Sequence, residues 1–346
     1  MYLPGTYFAA LAMLVISMIG WGSWANTFKL AKGYRFELFY WDYIIGMMLM
    51  ALAYALTMGS YGTAGTPFLQ DLAEAGGVNI GLALLSGVIF NVANLLLVAA
   101  IEIAGLAVAF PVSIGLALII GAVGSYMVRP KGNPVLLFGG VALVAAAIVL
   151  DALAYRALTA KTTARGEGSH AASAGSGAGG SMRQSGLVLS LLSGVLMGLF
   201  YPLFAKAITG PQALGPYAGS VMFVLGAALC TLPVNGLYFM RRPIRGEPVS
   251  SADYFAAPRR AHLLGIVGGF IWGTGTVFNF VASAAGMVGP AVSYSLGQGA
   301  TMVSAIWGVF VWREFRGAGP VAVRRLALMF VFFLAGLALV AIAPLR

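Results

Sequence analysis

Ten long apolar runs, separated by short polar connectors, dominate the chain at about 6–29, 38–59, 79–101, 105–128, 134–155, 185–207, 216–239, 262–284, 288–312 and 322–343. Each is close to or above the roughly 20 residues an α-helix needs to cross a bilayer core about 30 Å thick. Backbone groups in hydrocarbon must be satisfied internally, which leaves only helices and closed barrels as spanning structures. A barrel would read as short segments of alternating polarity, whereas these runs are continuously apolar. The expected fold is an all-α polytopic membrane protein of ten transmembrane helices with almost no soluble domain. The chain is 60% hydrophobic and 9% charged, against about a quarter charged in globular domains.

A weak internal echo organises the ten spans. Without gaps, 87–115 aligns with 269–297, pairing Gly87 with Gly269, Ile89 with Ile271, Ala100 with Ala282, Ala109 with Ala291, Ser113 with Ser295 and Gly115 with Gly297. Phe90 falls opposite Trp272. The matched stretches are the third and fourth spans of each half. Two copies of a unit with five spans must insert in opposite senses, so the expected architecture is a 5+5 inverted repeat, the framework of alternating access. The repeats are expected at 1–156 and 185–346. Between them, 157–184 contains GEGSHAASAGSGAGGSM and reads as a flexible cytoplasmic linker. Tight helical hairpins recur near Ala104–Gly105 and Gly286–Gly289.

Charge sets orientation. Of the 20 Lys and Arg residues, all but Arg129, Lys131, Lys206 and Arg346 fall on one side of a ten-span chain. The positive-inside rule makes that side cytoplasmic and puts both termini outside. The net charge of +10 is thereby absorbed by topology and anionic lipid, and no nucleic-acid partner is expected. The first span has no basic leader and contains Trp21, Trp24 and Lys29, unlike a cleavable signal peptide. One cysteine and two histidines, His170 and His262, predict no internal disulfide and no metal centre. Neither histidine is expected inside a span. No cofactor is expected, and no clustered nucleophile, base or metal ligand points to an intramembrane enzyme.

Polar groups inside spans are costly unless they face a cavity or one another. In the eighth span Trp272, Thr276, Asn279 and Ser283 share one helix face by spacing. Asn91 and Asn94 do so in the third span, and Tyr294 and Gln298 in the ninth; the first adds Trp21, Trp24 and Phe28. Amides beside aromatic planes suit a flat, uncharged, hydrogen-bonding solute or a sugar; the alternative is that they bridge helices. Among the acids, Asp42, Glu102, Asp151 and Glu314 lie near the cytoplasmic side. Coupling to protons needs a carboxylate whose burial changes between states, and Glu102 or Asp42 is the candidate. The structural alternative for Asp42 is a salt bridge to Lys29 or Arg35, and Arg313 is expected to pair with Glu314.

Several short motifs, taken in order, resemble the ureide permease family of the drug/metabolite transporter superfamily. They are Gly22-Ser-Trp24, Tyr40-Trp-Asp42-Tyr43, Gly87-x6-Asn94 with Gly105-Leu106, Arg242-Pro-x2-Arg-Gly-x-Pro-x-Ser-Ser251, Gly269-Phe-x2-Gly273-x-Gly275, and Trp307-Gly308 with Glu314. The resemblance covers nearly the whole chain, and Asp42 matches an Asp of the family. It implies a five-plus-five helical transporter for small polar metabolites, ureides and nucleobases in plant members, with proton coupling. The same branch also resembles glucose and rhamnose symporters, so the substrate does not follow. The central stretch lacks the G-x4-G-K-[ST] pattern that resembles a nucleotide site in plant members. The expected protein is a multi-pass secondary transporter of the plasma (inner) membrane for a small neutral polar metabolite, a monomer or homodimer in the lipid bilayer. Export of drugs or metabolites is the alternative, and a non-transporting receptor or scaffold would leave the repeat unexplained.

Overall fold

The computed structural model describes residues 1–164, 180–243 and 246–346. In chain order the helices are α1 (Tyr7–Ser23), α2 (Ala25–Leu30), α3 (Phe36–Leu56), α4 (Phe68–Glu74), α5 (Gly77–Ala104), α6 (Leu106–Val128) and α7 (Pro134–Ala164). They continue with α8 (Gly180–Ala207), α9 (Pro216–Thr231), α10 (Ser251–Ala256), α11 (Arg259–Ala284), α12 (Pro290–Gly297), α13 (Ala300–Ile306) and α14 (Pro320–Ile342). Helix starts follow local chemistry. Thr6 caps α1, Asn133 Oδ1 accepts from the amides of Val135 and Leu136 at the start of α7, and proline opens α9, α12 and α14.

Among the described residues, nine helical segments are long and apolar enough to cross a membrane. Their outer flanks expose Ile119, Val149, Leu192, Val331 and Leu334, an apolar surface far beyond what a protein in water tolerates. The protein is a multi-pass membrane protein. The predicted run 288–312 departs from a single helix. It forms α12, a tightened turn at Gln298–Gly299, then α13 and a π-helical stretch Trp307–Val311. The first span is likewise interrupted at Trp24, and α9 ends in a π-helical stretch Leu232–Phe239. Within the stretch 157–184, α7 runs on to Ala164 and α8 starts at Gly180. Residues 165–179, with His170, lie outside the described residues.

Packing is reciprocal between the two parts of the chain. Helix α5 crosses α9 where Gly87 meets the Phe223 carbonyl and Gly226 meets that of Leu84. Helix α11 crosses α3 in the same way, with Gly269 against the Tyr43 carbonyl and Gly46 against that of Ile266. Helix α5 also packs on α8 and α11 on α1, while α7 and α14 meet at Gly140 and Gly336. Phe90 and Trp272, paired by the repeat alignment, touch at a centroid distance of 4.7 Å. The two predicted hairpins turn on Gly105 (φ 81°, ψ 155°) and Gly289 (φ 82°, ψ 164°), a left-handed conformation that side chains with a Cβ rarely adopt.

These crossings are tight enough to test. A Cβ at Gly269 would stand 2.1 Å from the Tyr43 carbonyl oxygen and one at Gly87 1.8 Å from that of Phe223. Gly269→Ala and Gly87→Ala are each expected to cost about 1–3 kcal/mol and to lower the melting temperature of the purified protein. Gly115→Ala, whose Cβ would meet nothing within 4 Å, is expected to leave it unchanged.

Candidate functional site

The centre of the bundle is an aromatic cluster. Trp272 lies against Trp21 (6.0 Å, 21° between planes), Phe223 (6.4 Å, 16°) and Phe90 (4.7 Å), with Tyr43 edge-on at 6.3 Å. Trp24, at the interruption between α1 and α2, tilts over Tyr43 at 4.8 Å. Two hydrogen-bond nodes adjoin this cluster. In the first, Tyr40 Oη donates to Asn91 Oδ1 (2.8 Å) and accepts from Asn94 Nδ2 (3.1 Å). Asn91 Oδ1 also accepts from Thr231 Oγ1 at 3.4 Å. Asn91 Nδ2 and the Tyr43 hydroxyl are buried with no partner. Unpaired buried polar atoms are rare because each keeps its full desolvation cost.

In the second node both ends of the Asn279 amide are used, while the Ser283 and Ser293 hydroxyls beside it have no partner. Asn279 Oδ1 accepts from Tyr201 Oη at 2.5 Å, and Nδ2 donates to Ser17 Oγ and the Ser293 carbonyl, both at 3.1 Å. It ties α11 to α1, α8 and α12. Thr276 Oγ1 accepts from Trp21 Nε1 (2.9 Å), and the Tyr294 hydroxyl donates to the carbonyls of Ala117 (3.1 Å) and Met197 (3.4 Å). Asn94 and Asn279 therefore belong to separate nodes. Gln298 sits at the α12–α13 turn, half-buried.

A cavity of about 230 Å³ opens toward the α2–α3 end, equal to the liquid volume of about seven or eight waters. Its α5 wall is Leu95, Val98 and Glu102, which continue the Asn91 and Asn94 faces one turn further along the helix. Opposite are Phe28, Phe36 and Glu37, and Asn235 and Phe239 from the π-helical stretch complete it with Tyr34 and Arg35. Asn235 Nδ2 donates to the Glu37 carbonyl at 2.8 Å while its Oδ1 is buried without a partner. Phe36 and Glu37 lie one turn before Tyr40 on α3. The cavity thus ends one turn from the Tyr40 node.

Asp42 forms neither of the salt bridges expected for it. Its carboxylate, 1% exposed, accepts from Tyr34 Oη at 2.8 Å and Tyr254 Oη at 2.6 Å, with His262 Nδ1 3.0 and 3.1 Å from its oxygens. A carboxylate needs donors, so the proton of His262 belongs on Nδ1. His262 is inside α11 rather than outside the span. Arg35 pairs instead with Glu37 (3.0 Å) and donates to the Glu247 carbonyl (2.9 Å). Glu314 pairs with Lys29 (2.6 Å) and Tyr155 Oη (2.8 Å), not with Arg313, whose φ is 53°. Burial, then the Asp42 carboxylate, raises the phenols of Tyr34 and Tyr254 above the ordinary tyrosine range, so both remain donors at neutral pH.

The sequence reading missed the tyrosines of these nodes. Tyr40 and Tyr43 were visible in the Tyr40-Trp-Asp42-Tyr43 motif at a one-turn spacing. The partnership of Asp42 with Tyr254 and His262, over 200 residues away, had no local signal.

At the other end of the bundle the connectors are tied together. Asp71 accepts from the Gly215 amide (2.8 and 3.0 Å), and Asn79 Nδ2 donates to the Gln212 carbonyl (2.8 Å).

A family model described as ureide permease matches residues 39–184, and one described as sugar transport protein matches 250–343. Ureide permease 1 of Arabidopsis thaliana is 22% identical over 98% of this chain and 97% of its own length. Ureide permease 2 of the same plant is 24% identical over 98% of each. A crystal structure of a protein with 15% identity superposes with a TM-score of 0.58, covering 96% of both chains, and speaks for the fold alone. The helical fold and these full-length matches define a membrane transporter. The family it resembles is the ureide permeases.

The Asp42 cluster ties α10 to the bundle through Tyr254. Tyr254→Phe removes one donor from a buried carboxylate, a loss of about 1–3 kcal/mol. Hydrogen exchange of Ser251–Ala256 is expected to quicken. Phe255→Leu, at a ring that is 81% exposed, is expected to leave that exchange unchanged.

Proposed function

We propose that the protein is a secondary transporter that takes up a small neutral polar metabolite (a ureide, nucleobase or sugar) by alternating access across the plasma (inner) membrane, driven by protons. The observation that carries this reading is two unspent polar atoms, Asn91 Nδ2 and the Tyr43 hydroxyl, with the Tyr43 ring against Trp24 and Trp272. They would supply the two N–H donors of an amide and one hydroxyl donor–acceptor to a solute lying flat on aromatic rings. Asn94 and Tyr40 would orient the site, and Thr276, Asn279, Tyr294 and Gln298 would carry it into the second half. The similarity to proteins named permeases supports the reading.

In this proposal the chain has ten spans, the interrupted 288–312 segment among them. Repeats 1–156 and 185–346 are related by inversion, and both termini are outside. The 230 Å³ cavity would then open to the cytoplasm, and the tied connectors around Asp71 would close the outer face. Solute from outside would reach the Tyr43–Asn91 site when the halves rock the other way. Glu102 or Asp42 would exchange the coupling proton with that cytoplasmic vestibule. Because Glu102 lines the cavity, export of a cationic solute is the second reading.

The experiment is uptake of labelled allantoin, uracil, glucose and rhamnose into proteoliposomes, with and without an inward proton gradient. One of them is expected to accumulate with the gradient and to lose accumulation in Asn94→Ala. Accumulation of none by folded protein would turn the reading toward export and Glu102→Gln. Tyr43→Phe separates a ligand role from a packing role. Losing one hydrogen bond to solute, about 0.5–1.5 kcal/mol, raises KM roughly 2- to 10-fold with no fall in melting temperature.

A further inference from the structure

Away from this site, a second cavity of about 130 Å³ lies between α6, α7 and α13. Its polar lining is the carboxylate of Asp151 and the side chains of Tyr155, Thr301 and Ser304, set among Phe110, Ala152 and Ala305. Asp151 is 8% exposed and its Oδ1 is fully buried with no hydrogen-bond partner. Three other acids near this end have counterparts among the described residues. Asp42 holds two tyrosines and His262, Glu37 holds Arg35, and Glu314 holds Lys29 and Tyr155.

Among the described residues no cationic side chain pairs with Asp151. Tyr155 on the same helix spends its proton on Glu314, and Lys29 answers Glu314 rather than Asp151. Arg325 of α14 donates to the Leu153 carbonyl at 2.9 Å. Among the lining residues, α6 and α13 present Phe110, Thr301, Ser304 and Ala305 and no charge. A carboxylate buried in apolar surroundings without a partner is strongly disfavoured, and takes up a proton or a counter-ion. The location adds a reason for a cation. Thr301 is in the first turn of α13, just past the Gln298–Gly299 interruption, and interrupted membrane helices recur at ion sites of transporters. Carboxylate and hydroxyl oxygens are the ligands that a hard cation prefers.

We propose that Asp151 is the acidic ligand of a monocation site, filled by a proton or a sodium ion, where α7 faces the interrupted α12–α13 segment. Its occupancy stands apart from the transport reading, and only a role in coupling would rest on that reading.

The test reads binding rather than transport, so its failure is distinct from failure of the transport proposal. Full-length protein in lipid nanodiscs is melted in sodium chloride and in choline chloride from about pH 5 to about pH 9. A sodium site gives a saturable rise of melting temperature with sodium. A proton site gives stability present at low pH and lost as pH rises through the bound group's pKa, with no sodium effect. Asp151→Asn is expected to abolish whichever dependence is seen and to stay near the stability of the occupied wild type. Dicyclohexylcarbodiimide labelling of the wild type, read by mass spectrometry, needs no variant. Asp151 is expected to be modified and to be protected by sodium in the first case or by raised pH in the second. Labelling that neither condition changes, absence of labelling at Asp151, or a melting profile shared by wild type and Asp151→Asn overturns the proposal.

Discussion

The close approach of helix backbones at glycine is the constraint on which this structure rests. In lipid, one apolar helix face gains little by leaving hydrocarbon for another, so association depends on contact and on hydrogen bonds. At Gly46 and Gly269, and again at Gly87 and Gly226, the absent Cβ lets each helix lie against the carbonyls of its neighbour. These two crossings set α3 on α11 and α5 on α9. They hold Tyr40, Tyr43, Asn91 and Trp272 within reach of one another.

Around that frame the polar side chains divide into spent and unspent groups. Asn279 uses its whole amide to tie three helices to α11, which is the work of glue. Asn91 uses only its oxygen, and Tyr43 leaves its hydroxyl unused. The difference cannot be read from residue type or from spacing, since both asparagines sit on apolar helices with aromatic neighbours. It follows from which hydroxyls the opposing helices present: Ser17 and Tyr201 reach the two ends of the Asn279 amide, while the hydroxyls of Tyr40 and Thr231 both donate to the Asn91 oxygen.

Much of the fold was legible in the chain. Apolar run length gave the membrane class, and among the described residues nine runs appear as spanning-length helical segments. The Gly87/Gly269 echo marked two residues that make equivalent crossings, and Gly105 and Gly289 turn the hairpins where short connectors were read. The interruption of 288–312 was harder to see, because Gln298-Gly299 is a mild break and hydropathy does not register a tightened turn. The pairings of the charges were misread for a different reason. Asp42, Lys29 and Arg35 are neighbours in depth, but depth alone does not say which helix face each charge occupies. Once folded, Asp42 faces α11 and takes His262, leaving Arg35 to Glu37 and Lys29 to Glu314.

By itself the sequence determined that the chain is a helical multi-pass membrane protein with an internal echo and a polar interior, because a bilayer permits few solutions for long apolar runs. It also carried the motifs that relate the chain to the ureide permeases. Only the tertiary structure decided which polar atoms are left without partners, where the cavities open, and that Asp151 is a carboxylate without a counter-charge among the described residues. Those facts depend on contacts between helices distant in sequence, and burial has an energetic cost only where such contacts fail to supply a partner.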